Sequence, residues 1–425
     1  MTTTIPRREA QRSFALGLLN GTAFRFAEAL IDPPLVLTWF VSQLTSSNLL
    51  VGLVAPLGDA GWFLPQVFVS ARIQRMERKM PSYTVAAVIR TIAWLLLAAT
   101  VWAVNDPQVL LVSFFVLYAV ARLSSGPAGL VFFDIVAKTI PARRRGSYFG
   151  WRQLLGGLTG LGGGWIVKTV LNHPSLPFPH GQAVLFALYC AVMALALGSF
   201  ILIREPAGAV MTDPVTVSKQ FQRAGQLLRE DPVYRRYLSA RLIQALAGIA
   251  LPFYAVYAKN VLGAADGMVG IYVTTRVGSQ LFFNLPWGRL SDRRGNRLVM
   301  QLVNLGSGAT TLLALILVGL VAIFQPQGTW LPYLAIPLFL LDGAIRPAQI
   351  LVGSNLLLEL VPDIERPLYL GLSNTLVGVA VLVSGLGGLL VDSFGFASLF
   401  AVSLGLCLAA YVLTAGLPEP REEGS

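Results

Sequence analysis

Charge is scarce in this sequence: only 12% of its 425 residues are Asp, Glu, Lys or Arg, while 55% are hydrophobic. Soluble domains carry about 25% charged and about 45–50% apolar residues, so most of this chain faces something other than water. Histidine and cysteine are nearly missing, with two of each. His173 and His180 lie in the proline-rich stretch Asn172–Gly181, which excludes a buried histidine ligand set. Cys190 and Cys407 sit in separate apolar runs, a spacing that fits neither a disulfide framework nor a metal knuckle, and they read as packing residues. No G-x-x-x-x-G-K-[ST] occurs, which excludes ATP hydrolysis within this chain and leaves no cofactor motif. The start, MTTTIPRREAQRSF, has no small-residue cleavage site after its apolar run and reads as a tail entering a first helix.

What is present is a series of apolar runs. Spanning a bilayer takes roughly 20 residues per helix, and runs of that length fall at 14–40, 48–70, 82–104, 108–137, 146–170 and 182–203. A second set falls at 236–258, 267–288, 298–324, 330–357, 367–391 and 396–417. The polar stretch Arg204–Arg235 separates them, and Phe221, Leu227 and Leu228 among Lys219, Arg223 and Arg229 suggest either a surface amphipathic helix or a disordered linker. The expected fold class is therefore all-α and polytopic: residues 1–203 form one six-helix bundle, 204–235 a linker, and 236–425 a second bundle with a short tail.

Charge placement orients the chain. Twenty-three of the 32 Lys and Arg residues fall on one side of these spans, and only Lys168 and Lys259 on the other. Such a bias marks the cytoplasmic face; it requires an even helix number with both termini inside, in a cell inner membrane. The net charge of +11 is thereby explained without nucleic acid as a partner. The two sets also repeat. A shift of 221 residues lays Pro141, Arg145, Tyr148, Gly150, Gly157 and Gly164 on Pro362, Arg366, Tyr369, Gly371, Gly378 and Gly385, and Pro65 on Pro286. Internal repeats of this kind are typical of secondary transporters, with a cavity expected between the halves.

The most specific local pattern is Gly288-Arg289-Leu290-Ser291-Asp292-Arg293-Arg294-Gly295-Asn296-Arg297, between helices 8 and 9. It resembles the loop signature G-x-L-x-D-R-x-G-x-R of the major facilitator superfamily. As a gate, Gly288 would permit close helix approach, Asp292 would pair with arginines or cap the next helix, and Gly295 would make the turn. The matching loop between helices 2 and 3, Arg72–Lys79, keeps the basic character but lacks the leading glycine and the aspartate. On helix 4, Arg122-Leu123-Ser124-Ser125-Gly126 resembles the R-x-x-x-G motif of proton-coupled antiporters in that superfamily. The resemblance implies that this arginine takes part in coupling. Helix 5 carries Gly156, Gly160 and Gly164 at every fourth position, a small-residue stripe for close helix packing. It resembles the glycine-rich helix-5 motif of facilitator antiporters without that motif's proline.

Seven arginines fall inside helices: Arg25, Arg90, Arg122, Arg152, Arg241, Arg276 and Arg346. A charge there is costly and must find a partner. Arg25, Glu28 and Asp32 share one face of helix 1, and Glu28 and Asp32 are the expected partners of Arg122. With no histidine in the membrane, a proton site must be a carboxylate, so Glu28, Asp32, Asp59 and Arg122 are the candidates for proton coupling. Arg25, Arg276, Asp342 and Arg346 are candidates for lining a cavity, although Asp342 and Arg346, at i and i+4, could equally satisfy one another. Trp39, Trp102 and Trp330 fall at membrane edges and fit an interfacial belt.

The resemblance implies a monomeric secondary transporter in the lipid bilayer, moving a small-molecule substrate by alternating access, with proton-coupled export as the first reading. An importer of a nutrient or organic anion is the alternative. A membrane enzyme lacks the clustered His, Cys or carboxylates it would need.

Overall fold

The structure, a computed structural model, describes residues 7–208, 227–361 and 366–419. Every regular element among them is a helix. The first half runs α1 (Arg7–Ile31), a π turn (Pro33–Leu37), α2 (Thr38–Leu44), α3 (Asn48–Gln74), α4 (Met80–Ala103), α5 (Pro107–Thr139), α6 (Ala142–Leu171) and α7 (His180–Ile201). The second runs α8 (Pro232–Ala247), a 3-10 turn (Gly248–Ala250), α9 (Leu251–Asn260), α10 (Met268–Arg294) and α11 (Asn296–Phe324). A further 3-10 turn (Leu331–Ala335), α12 (Ile336–Leu360), α13 (Arg366–Ser384) and α14 (Gly387–Ala415) complete it.

Local chemistry sets the ends. Asp106 and Asp231 each precede a proline, and each side chain accepts a hydrogen bond from the first turn: Asp106 from Gln108 N and Val109 N, Asp231 from Tyr234 N. Proline at the first helical position forgoes an N–H that would be unpaired anyway, while the aspartate satisfies the next ones. The run labelled α14 is two helices. Gly395 has φ 78° and ψ 178°, a backbone that ends one helix and starts another. Residues 387–394 therefore form a short helix after α13, and 396–415 a separate one about 30 Å long. The chain is an all-α polytopic membrane protein, and nine of its described helices are long and apolar enough to cross a bilayer.

The first span of each half is broken. In span 1 the π turn at Pro33–Leu37 interrupts the helix just after Asp32, and in span 7 the 3-10 turn Gly248–Ala250 precedes Pro252.

Two compact units are present: Met1–Asp32 with Gly61–Val217, and Pro33–Ala60 with Ser218–Ser425. In the first, α1 and α6 exchange arginines over glycines. A Cβ on Gly21 would meet Arg152 Nε, and one on Gly156 would meet Arg25 Cγ. Gly163 likewise faces Ala29, so Gly156 and Gly163 lie in a seam between α6 and α1. Trp39 corrects an expectation. It is buried within the second unit and its Nε1 donates to Asp266 Oδ1 at 2.7 Å, whereas Trp102 and Trp330 are exposed as an interfacial belt requires. Lys219, Phe221 and Arg223 of the linker, and Pro362 of the repeat, lie outside the described residues.

The repeat has a physical role that can be compared within each unit. Arg145 Nη2 donates to Ala137 O at 2.6 Å, and Arg366 Nη2 donates to Leu358 O at 2.8 Å. Donors and acceptors are both 221 residues apart, so each arginine reaches back to a carbonyl near the end of the preceding helix, where carbonyls lack helical partners.

Candidate functional site

In the first unit, the interior of the bundle is organised around Glu28 on α1. Its Oε1 accepts from Arg90 Nη2 at 2.6 Å, and its Oε2 accepts from Arg122 Nη1 and Nη2 at 3.3 and 3.4 Å. Tyr189 on α7 bridges: its hydroxyl accepts from Arg90 Nε and Nη2 and donates to Glu28 Oε1. Ring faces complete the surroundings. Arg122 lies 5.1 Å from the Tyr118 centroid, and Arg90 lies 5.1 Å from that of Phe24. Trp94 packs edge-on to Tyr118, 6.1 Å between centroids, with its own Nε1 buried and without a hydrogen-bond partner among the described residues. Gly61 makes room for this cluster, because a Cβ there would press on the Arg122 Cβ at 2.7 Å.

Of the expected partners of Arg122, the structure brings Glu28 and leaves Asp32 apart, buried at the end of α1. Arg25 turns to α6, where its Nη2 donates to Gln153 Oε1 at 2.5 Å. Arg90 and Tyr189 are site residues that the sequence does not single out. Arg90 is visible there as one more arginine in an apolar run, but Tyr189 carries no local signal, since an aromatic in such a run is ordinarily packing.

The remaining candidates belong to the second unit. Asp342 does not pair with its helical neighbour Arg346. Its Oδ2 accepts from Arg276 Nε on α10 at 2.5 Å, while Arg346 Nη2 stands 3.8 Å from Asp59 Oδ2. Gly343 lets α12 lie against the backbone of Arg276, where a Cβ would clash with its carbonyl oxygen.

The loop between α10 and α11 turns at Gly295, with φ 80° and ψ 166°, a region open essentially to glycine alone. Ser291 Oγ donates to Asn296 Oδ1 at 2.7 Å, and Arg297 Nη2 donates to Ala415 O at 2.6 Å. Arg289, Asp292 and Arg293 lie in the last two turns of α10. At Gly288 a Cβ would meet nothing within 4 Å among the described residues.

In the first unit, the loop lacking the motif aspartate draws its carboxylates from elsewhere. Glu205, just past α7 and almost fully buried, accepts from Lys79 N and Met80 N at 2.7 Å, capping α4. Lys138 Nζ pairs with both Glu205 and Asp134, at 2.7 and 2.8 Å, and Lys79 Nζ pairs with Asp134 at 2.7 Å. Glu205 and Asp134 had no motif to announce them.

Residues 237–425 match the family model described as Major Facilitator Superfamily. The whole architecture agrees: the structure of a mutant form of the nucleoside transporter NupG superposes with a TM-score of 0.71 at 12% identity, covering 96% of this chain and 99% of that one. The family model covers less than half of the chain, and at 12% identity the likeness to NupG is one of fold. The chain is likewise similar to a D-xylose-proton symporter at TM-score 0.72 and 16% identity, over 97% of this chain and 98% of that one, a likeness of fold alone. Among curated proteins it is 28% identical over 177 residues to a multi-drug resistance efflux pump PmrA homolog of Lactococcus lactis subsp. lactis, covering 39% of each chain. It is also 28% identical over 191 residues to the multidrug resistance protein MdtG of Serratia proteamaculans, covering 42% of this chain and 41% of that one. The chain thus spans about two fifths of the length of the curated relatives it matches.

Proposed function

We propose that this protein is a secondary active transporter that exports a small molecule by alternating access, driven by protons. It works as a monomer in the cell inner membrane with both termini cytoplasmic, its halves 1–203 and 236–425 joined by the linker 204–235. The observation that carries the reading is Glu28 between two arginines. A proton on Glu28 removes both ion pairs at once, so a protonated state must give Arg90 and Arg122 different partners. That makes the cluster a two-state element, and a gradient can bias only such an element. Export as the direction is supported by the names of the two curated relatives, one a multi-drug resistance efflux pump homolog and the other a multidrug resistance protein. The loops Arg72–Lys79 and Gly288–Arg297 act as the cytoplasmic-side gate in this reading, and Asp59, Asp342, Arg276 and Arg346 line the substrate path.

The test is Arg122→Ala in inverted membrane vesicles. The expected result is loss of pH-driven substrate uptake, with the protein inserted at normal abundance. Uptake that persists unchanged would remove the coupling role.

A further inference from the structure

Six of the seven arginines within the spans have defined partners. Arg90 and Arg122 share Glu28, Arg276 has Asp342, and Arg346 has Asp59. Arg152 donates to Gly17 O, Asn20 Oδ1 and Tyr148 OH and stacks on Phe132. Arg25 donates to Gln153. Arg241 is different. It lies on α8, about 14 Å along the helix from Pro232, and is only half-buried. Among the described residues no carboxylate pairs with it. Its neighbours are neutral: Nη1 donates to Gln244 Oε1 at 2.5 Å, and the Tyr237 hydroxyl lies beside it, itself donating to Gly353 O. A guanidinium has five N–H donors, so most of its hydrogen-bonding capacity is unspent.

Its surroundings are built to hold that orientation. Gln244 Nε2 donates to Asn304 Oδ1 at 2.8 Å, Asn304 Nδ2 to Thr414 Oγ1 at 3.1 Å, and Thr414 Oγ1 to Ala410 O at 2.7 Å. Each donor in this chain is committed to the next acceptor, so the Gln244 amide must present its oxygen to Arg241. Asn304 and Thr414 are buried, which fixes the chain in place. On the other side the guanidinium lies over Gly353 of α12, where a Cβ would stand 2.9 Å from Nη2. A methyl group there would push the guanidinium away.

A cation within a membrane span, held by neutral groups and with no counter-charge among the described residues, is a cost that an incoming anion would relieve. We propose that Arg241 is an oxyanion-binding site, and that the anion is a carboxylate, phosphate or sulfonate group of the transported molecule. This rests on the transporter reading and adds the chemical class of its cargo. The fork of the guanidinium suits two oxygens of one oxyanion, and it disfavours a cationic cargo.

The test measures binding without flux, so it can fail while the transport reading stands. Full-length protein, purified in detergent without added lipid, is unfolded thermally with sodium acetate, phosphate or methanesulfonate against sodium chloride at equal ionic strength. The expected result is a saturable rise in Tm with the oxyanions and none with choline. In Arg241→Gln the apparent affinity should fall about tenfold to a hundredfold, the effect of losing a charge-assisted hydrogen bond. Should that variant fold poorly, Gly353→Ala displaces the guanidinium and should weaken the same response. Equal responses in wild type and variants, or no response to any oxyanion, would overturn the site. A rise produced only by phosphatidylglycerol would place a lipid headgroup there and overturn the cargo assignment.

Discussion

The loops that follow the second span of each half occupy equivalent places in the repeat but are held by different chemistry. In the second unit, the α10–α11 loop is organised from within: a glycine-only backbone at Gly295, a short Ser291–Asn296 contact, and Arg297 tied to Ala415 O. In the first, the α3–α4 loop holds few such features, and the anchoring comes from Glu205 and Asp134 on other elements. One loop is specified by its own sequence and the other by its tertiary neighbours. A motif can thus be degenerate while the position it serves is still pinned.

The largest effect should follow from breaking the borrowed anchor. Glu205 is buried and satisfies two backbone N–H groups and the Lys138 ammonium. Glu205→Ala leaves all three without that acceptor, and removing one partner of a buried ion pair costs about 3–5 kcal/mol. Thermal unfolding in detergent should show a loss of that order. Glu205→Gln should retain part of it, since an amide oxygen still accepts from the α4 N-terminus. A loss below about 1 kcal/mol would mean that the α3–α4 loop has other means of support.

How much of this was legible beforehand follows the same division. The all-helical, polytopic character was readable because lipid leaves an apolar run no alternative to a helix, and the 221-residue repeat was visible in residues that turn out to have backbone roles, such as Arg145 and Arg366. Within the candidate site, Glu28 and Arg122 were legible because a charge in an apolar run is conspicuous. Their arrangement was not. Helical spacing allowed Asp32 or Glu28 for Arg122, and left Asp342 either lining a cavity or paired with Arg346; the pairs formed are contacts across 66 to 94 positions of sequence. Tyr189, Glu205 and Asp134 were hidden for the same reason. Their identity is ordinary, and only their neighbours give them a task.

A smaller effect is expected from the loop that specifies itself. Gly295→Ala puts a side chain at φ 80° and also presses on the Glu419 carboxylate. Backbone strain of this kind costs of order 1–3 kcal/mol. The substitution should lower Tm in detergent by less than Glu205→Ala does, and Gly295→Asn should behave similarly, because ψ 166° lies outside the left-handed helical well that asparagine tolerates. An equal or larger loss than Glu205→Ala would reverse the ranking of the two anchors.

The smallest effect on stability, and the most informative one, belongs to the first letter of the motif. Gly288 is helical, and a Cβ there meets nothing within 4 Å. Gly288→Ala should therefore be neutral or stabilising by up to about 1 kcal/mol, the gain in helix propensity from Gly to Ala. If glycine is needed there for close helix approach, the approach occurs in another conformation of the transport cycle. The two measurements then separate. Unchanged or raised Tm together with impaired flux would assign Gly288 to that other state, since a methyl group that touches nothing in one conformation acts only by excluding the alternative. Unchanged Tm with unchanged flux would leave the glycine without a steric task in either conformation, and the loop's self-sufficiency would then rest on Gly295 and Arg297.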